Sequence, residues 1–202
     1  MKKTILTIVC FLIATISINA FDAKGVLDKT ASEFKKCPSV TVGYEVAIKE
    51  DTDKGTIILQ GKKFVNNMSN TMTWFDGKTM WSYVIDNEEV NVTTPTASQL
   101  AKMNPYTFLD IYKKGYTVEF GKNTNEYYEV VLTANATNKS SIQKMLIRIG
   151  RQNYRPQYIM MGGTKANIEI KVTSYKKGKK LADTAFQFNK KKYPKADVID
   201  LR

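Results

Sequence analysis

The residues that most often carry chemistry in a protein are scarce here. There is no histidine in the 202 residues, which removes Ser-His-Asp catalysis and imidazole metal ligation together. Two cysteines occur, Cys10 and Cys37, and Cys37 has neither a histidine to activate its thiol nor a nearby thiol to pair with. The carboxylate pairs Asp51/Asp53 and Glu88/Glu89 fall in turn-like or strand-end sequence, with too few oxygen ligands close by for a calcium site. The glycines form no phosphate-cradling loop. Asn67, Asn91, Asn135 and Asn138 each open an Asn-x-Ser/Thr triplet, which matters only in a host that glycosylates asparagine. The expectation is a protein that is not an enzyme and holds no metal or cofactor.

What the chain does offer is apolar and aromatic surface. Both tryptophans, Trp74 and Trp81, lie in one stretch, Met72-Thr-Trp-Phe followed by Asp76-Gly77 and then Met80-Trp-Ser-Tyr-Val-Ile. Aromatic-rich runs flanking Asp-Gly predict a hairpin, because glycine takes the positive φ that a two-residue turn needs. A second turn at Asp86-Asn87 leads into Glu89-Val-Asn-Val-Thr, which completes a β-meander. Eight methionines fit an adaptable apolar binding surface and an ordinary core equally well.

The ends of the chain bound the compartment. Met1-Lys-Lys, an apolar run from Thr4 to Ile18 and the small residue Ala20 predict a secretory signal peptide over residues 1–20. The run is too short and wrongly flanked for a stable membrane span. Cys10 follows Val9 inside that run, so a lipidation box is rejected. Residues 21–202 are expected to form one domain, with Cys37 as their one thiol and therefore no internal disulfide. Without Lys2 and Lys3, 29 basic side chains face 19 acidic ones, a net charge of +10. That excess suits anionic partners such as membrane surfaces, lipids or acidic proteins, and it also suits a surface kept soluble by like charge.

A pass along the chain shows how these surfaces are positioned. Asp22 predicts an N-cap, and Ala23, Val26, Leu27, Thr30, Ala31 and Phe34 follow at helical spacing until Cys37-Pro38. From Ser39 the period becomes two: Val40, Val42, Tyr44, Val46 and Ile48 share a face, and Asp51 to Gly55 reads as a turn. Further strands are expected at Thr56–Gln60, Lys62–Met68, the central meander, Tyr116–Phe120, Tyr127–Thr133, Ile142–Ile149, Gln157–Met161, Asn167–Tyr175 and Thr184–Phe188. So large an antiparallel sheet, with few helices to cover it, must curl. The expected fold is mainly β with helices: a curled antiparallel sheet forming a half-open β-barrel covered by short helices. Pro95 to Gly115 interrupts the pattern. Ala97–Met103 reads as one short helix, and Asn104-Pro105 opens a second through Tyr106, Phe108, Leu109, Ile111 and Tyr112, placed to act as a moving lid or a fixed plug.

The segment Asp76-Gly-Lys-Thr-Met-Trp-Ser-Tyr83 resembles the central meander of the LolA family, the periplasmic carriers of outer-membrane lipoproteins. The resemblance extends over roughly residues 22–200. The proline-led helix at Asn104–Tyr112 stands where the family has its lid, and Phe186-Gln-Phe188 followed by Pro194, Lys195 and Asp197-Val198 is similar to the family's closing pattern. The resemblance implies a carrier that binds acyl chains of lipoproteins on a concave apolar face. It would receive them from an inner-membrane ABC-type complex and hand them to an outer-membrane acceptor. The signal peptide argues against nucleic-acid binding and for a periplasmic location, and the mature chain is expected to be a monomer. From side-chain character and placement, Trp74, Trp81, Tyr83, Phe108, Leu109, Phe186 and Phe188 are expected in the cavity wall or its covers, with Val26, Leu27, Phe34, Tyr106 and Tyr112 on the covering helices. One departure stands out. Where many members carry Arg-Pro, with the arginine holding the lid closed, this chain reads Gln60-Gly61, then Lys62 and Lys63, and lysine lacks arginine's planar donor fork. The alternative reading, from a different functional class, is a cell-envelope lipid-binding or structural interaction module on the same scaffold.

Overall fold

A computed structural model describes residues 21–104, 106, 108–138, 142–163 and 167–202. The signal-peptide expectation, residues 1–20, lies outside the described residues.

The period-two runs become strands of one twelve-stranded sheet. In chain order they are β1 (Ser39–Ile48), β2 (Asp51–Gln60), β3 (Lys63–Met68), β4 (Thr71–Phe75), β5 (Met80–Val84) and β6 (Glu89–Thr93), then β7 (Tyr116–Phe120), β8 (Tyr127–Ala134), β9 (Ile142–Gly150), β10 (Pro156–Gly163), β11 (Asn167–Gly178) and β12 (Asp197–Asp200). In space they run β12-β6-β5-β4-β3-β2-β1-β11-β10-β9-β8-β7. Neighbours are antiparallel except β12, which pairs parallel with β6. The two halves join where β1 meets β11, and β12 and β7 remain as free edges of an unclosed, curled sheet.

Among the described residues three α-helices accompany the sheet: α1 (Ala23–Lys35), α2 (Ala97–Met103) and α3 (Phe108–Ile111). Helix α1 begins as its sequence dictates, with Asp22 accepting a 2.6 Å bond from the Gly25 amide. It buries Ala23, Val26, Leu27, Thr30 and Ala31 and ends before Cys37-Pro38. Helix α2 carries a full capping box between Thr96 and Gln99. Asn104 caps the next segment, accepting from the Tyr106 amide at 2.9 Å.

Strand alternation divides the apolar side chains between two faces. The inner face, on which α1 and α3 lie, holds the main core: Val40, Val42, Tyr44, Ile57, Leu59, Phe64, Phe75, Leu132, Ile147, Ile149 and Ile159 among others. Each fully buried aliphatic there contributes about 1.5–3 kcal/mol of transfer free energy. Gly55 lets the Tyr44 ring lie across the neighbouring strand, since a Cβ there would meet the ring at 2.5 Å. The Tyr44 hydroxyl then reaches Asn66 at 2.6 Å. The outer face of β3–β6 carries a separate cluster of Trp74, Tyr83, Val90 and Val92, roofed by Phe188, Tyr193 and Ala196 of the C-terminal segment.

Several local expectations shift. Asp51 to Gly55 is strand rather than turn, because the chain reverses earlier, at Lys49-Glu50, where Lys49 has φ +57°. Pairing with β1 then overrides the turn chemistry of the sequence. The hairpin after β4 turns on Gly77-Lys78, one residue later than expected: the Asp76 amide bonds the Thr79 carbonyl, and Gly77 has φ +104°. Thr184–Phe188 is not a strand; Asp183–Phe186 forms a 3-10 turn. Among the described residues the expected helix after Asn104 is confined to α3.

Candidate functional site

The inner face opens at one end of α1. There a pocket of about 340 Å³ is bounded by Lys29, Thr30, Glu33 and Phe34 of α1, by Tyr106 and Leu109, by the β9–β10 turn, and by Tyr175 and Lys177 of β11. Each wall has a local cause. Thr30 turns its hydroxyl back onto the Val26 carbonyl at 2.9 Å, which satisfies that hydroxyl within the helix. Phe34 packs against Tyr106 with ring centres 5.6 Å apart. Tyr106 is almost wholly buried, and that burial pushes its phenol above the ordinary range. Tyr154 takes φ +53°, which a bulky residue rarely adopts, and lines the wall from that turn. Tyr175 is held up to about 12, first by burial. The result is an aromatic recess continuous with the main core and ringed by polar side chains.

A larger cleft of about 600 Å³ lies between the tips of β1, β2, β10 and β11 and is lined by Glu45, Asp53, Lys54, Tyr158, Glu169 and Lys171. Part of its lining is already paired: Lys54 meets Glu45 at 3.2 Å, and the Tyr158 hydroxyl donates to Glu169 at 2.8 Å. Beside it Arg148 lies over the rings of Tyr127 and Tyr158 and bonds Glu129 at 2.9 Å. Burial alone would raise the Glu129 pKa, but the Lys122 amide and Arg148 more than offset it, and it lies below the usual range. This is a strut across the outer face. No cluster of three or more potential metal-ligating side chains occurs among the described residues.

Residues 13–165 match the family described as outer membrane lipoprotein carrier protein LolA, over about three-quarters of the chain. The chain belongs to the LolA family. No protein of curated function matches it. Among solved structures, an uncharacterized conserved protein from Thermus thermophilus superposes with a TM-score of 0.59 at 12% identity, over 88% of this chain and 98% of that one. A DUF1329 family protein from Desulfovibrio piger gives 0.50 at 9% identity, over 82% and 97%. A LolA superfamily protein from Nitrosomonas europaea gives 0.45 at 13% identity, over 84% and 99%. The first two likenesses, at such identities, are likenesses of fold.

The expected wall residues do not share one face. Leu109 lines the pocket with the cover residues Phe34 and Tyr106. Val26 and Leu27 are buried beneath α1. Tyr112 closes α3 against α1, donating to Asp28 at 2.5 Å. Trp74, Trp81, Tyr83 and Phe188 belong to the outer cluster, where Trp74 meets Phe188 and Tyr193 edge-on at 5.6 Å. Phe186 is fully buried in its 3-10 turn beside β3. The side chain of Phe108 lies outside the described residues.

The family's lid-locking position is also reassigned here. Gln60 exchanges two bonds with Leu181, at 3.1 and 2.8 Å, and Lys63 pairs with Asp183 at 2.7 Å. Gln60 follows inner-face Leu59 and Lys63 precedes inner-face Phe64, so alternation turns both outward, where they fasten the C-terminal segment. The pocket residues Tyr154, Arg155, Tyr175 and Lys177 were not expected from the sequence. A bulge between Gly43 and Tyr44 resets the β1–β11 register and brings Tyr175 and Lys177 opposite inward-facing Val42 and Val40. The Arg-Gln-Asn-Tyr-Arg run at 151–155, two arginines around a tyrosine, was the available signal.

Proposed function

We propose that this LolA-family protein is a non-catalytic lipid carrier of the cell envelope. It holds an acyl chain between α1, the Tyr106–Tyr112 segment and the inner face of the sheet. The observation that carries the reading is the pocket beside α1, whose wall includes Tyr106 and Leu109 of the main core and Phe34, Tyr154 and Tyr175 packed against it. Each methylene moved there from water gains about 0.8 kcal/mol, which is the energy a carrier needs to shield a lipid anchor. A volume of 340 Å³ is at the small end for a ligand site, roughly 300–1,000 Å³, so larger cargo requires α1 and the α3 segment to part.

In its finer form the proposal is that residues 1–20 export the chain and are removed. The mature protein then receives acylated lipoproteins from an inner-membrane ABC-type complex and yields them to an outer-membrane acceptor. Family membership and the covered inner face support this reading. Mass spectrometry of the protein purified gently from its own cell envelope tests it. Co-purified acylated lipoproteins are the expected result. Free lipids alone would reduce it to a lipid carrier, and an empty protein that also refuses an acylated peptide would overturn it. The competing reading, an envelope interaction module with a filled interior, draws on Leu132, Ile147 and Ile149, which are wholly buried on the same face. A filled interior takes up no apolar fluorophore; a carrier does.

A further inference from the structure

The mouth of the pocket under α1 is charged in one direction. Lys29, Arg155 and Lys177 stand there against one acid, Glu33. Glu33 is already engaged, by Lys36 at 2.8 Å and by Lys29 at 3.7 Å. Neither Arg155 nor Lys177 forms an ion pair with a carboxylate among the described residues. The Arg155 guanidinium lies 4.7 Å from the centre of the Tyr175 ring, which is itself part of the wall. Stacked in this way, a guanidinium is fixed in place while its N–H edge stays available to an anion. Lys177 reaches the same mouth because it pairs with inward-facing Val40 at the end of β11. The turn that delivers Arg155 is held in a costly conformation by Tyr154, with the Asn153 side chain accepting from the Arg155 amide at 2.9 Å. Gln152 and Asn153 add side-chain amides to the rim.

We propose that this mouth binds the anionic head of a single-chain amphiphile, a carboxylate or a phosphate ester, whose tail lies beneath Tyr106 and Leu109. The inference rests on the lipid-binding reading of the same pocket and adds the head chemistry and the chain number. Charge complementarity selects the head: three cations, of which Lys29 and Lys177 both act on the one acid Glu33, face an aromatic wall. Volume selects the tail. At roughly 30 Å³ per water-sized group, 340 Å³ holds on the order of eleven such groups, which suits one medium-length chain without parting the helices.

The test is isothermal titration calorimetry of the purified protein with four probes of equal chain length, each below its micellar concentration. They are dodecanoate, dodecyl phosphate, neutral monododecanoyl glycerol and dodecyltrimethylammonium. At low salt the two anions are expected to bind roughly tenfold or more tightly than the neutral probe, with the cation weakest. Added salt should shrink that preference. The double variant Arg155→Gln, Lys177→Gln, its fold checked by circular dichroism, should bring anionic and neutral probes to within about twofold of each other. The stronger of the two anions identifies the natural head. Equal affinity for all heads, or a preference that survives in the double variant, overturns the head assignment and leaves the lipid reading standing. Failure of all four probes to bind overturns both.

Discussion

If the α3 segment covers the inner face, the bond between Tyr112 and Asp28 is one that must break when it lifts. The perturbation that isolates it is Tyr112→Phe. The ring stays buried between Lys24 and Lys113, whose ammonium groups lie 6.0 and 5.8 Å from its centre, and only the hydroxyl donating to Asp28 at 2.5 Å is lost. A hydrogen bond to a charged acceptor is worth about 1.5–3 kcal/mol. The Asp28 side chain is 47% exposed and also bonds Lys24 at 2.6 Å, so water and a second cation already compete for it. Discounted for that exposure, the contact is worth about 1 kcal/mol. If it exists only while the segment is docked, its loss raises the undocked population about fivefold. Stopped-flow uptake of a neutral apolar fluorophore should accelerate by that factor, while urea titration shows a loss of about 1 kcal/mol. A variant that loses the stability but takes up the probe at the wild-type rate would refute the latch, leaving the contact a purely structural tie.

The same contact predicts a pH response. Hydrogen bonds from Lys24 and Tyr112 hold the Asp28 carboxyl below its ordinary 3.8, so its contribution is complete above that value and is lost as pH falls through the lowered one; Asp28→Asn should flatten this part of an acid-unfolding curve. Trp74→Ala should cost about 3 kcal/mol in urea titration yet leave uptake of the apolar probe intact, because Trp74 supports the C-terminal segment on the outer face. Ile147→Ala, at a wholly buried inner-face position, should cost about 3 kcal/mol and leave a cavity that a small apolar probe can enter. Gly55→Ala should cost about 2 kcal/mol, since the new methyl meets the Tyr44 ring at 2.5 Å and the Asn67 carbonyl at 3.0 Å, and Tyr44→Ala in the same chain should recover part of it.

Local sequence determined the elements whose causes are local. Asp22 and Pro38 bound α1, period-two alternation marks most strands, Gly77 supplies the positive φ of the central hairpin, and the order of motifs pointed to the LolA family. Alternation also separated Trp74, Trp81 and Tyr83 from Phe75 and Met80, but it says only that two faces differ. Which face is the inner one depends on where α1 and the C-terminal segment settle, and those contacts join residues more than a hundred positions apart, such as Gln60 with Leu181 and Met72 with Tyr193. The pocket was hidden for the same reason. Its floor needs the Gly43/Tyr44 bulge to set the phase of β11, and its mouth needs Tyr154 in a conformation that no tyrosine advertises. The tertiary structure alone decided that the tryptophans anchor the C-terminal segment and that Arg155 and Lys177 line one pocket beside α1, because register and long-range packing choose which side of a strand is the inside.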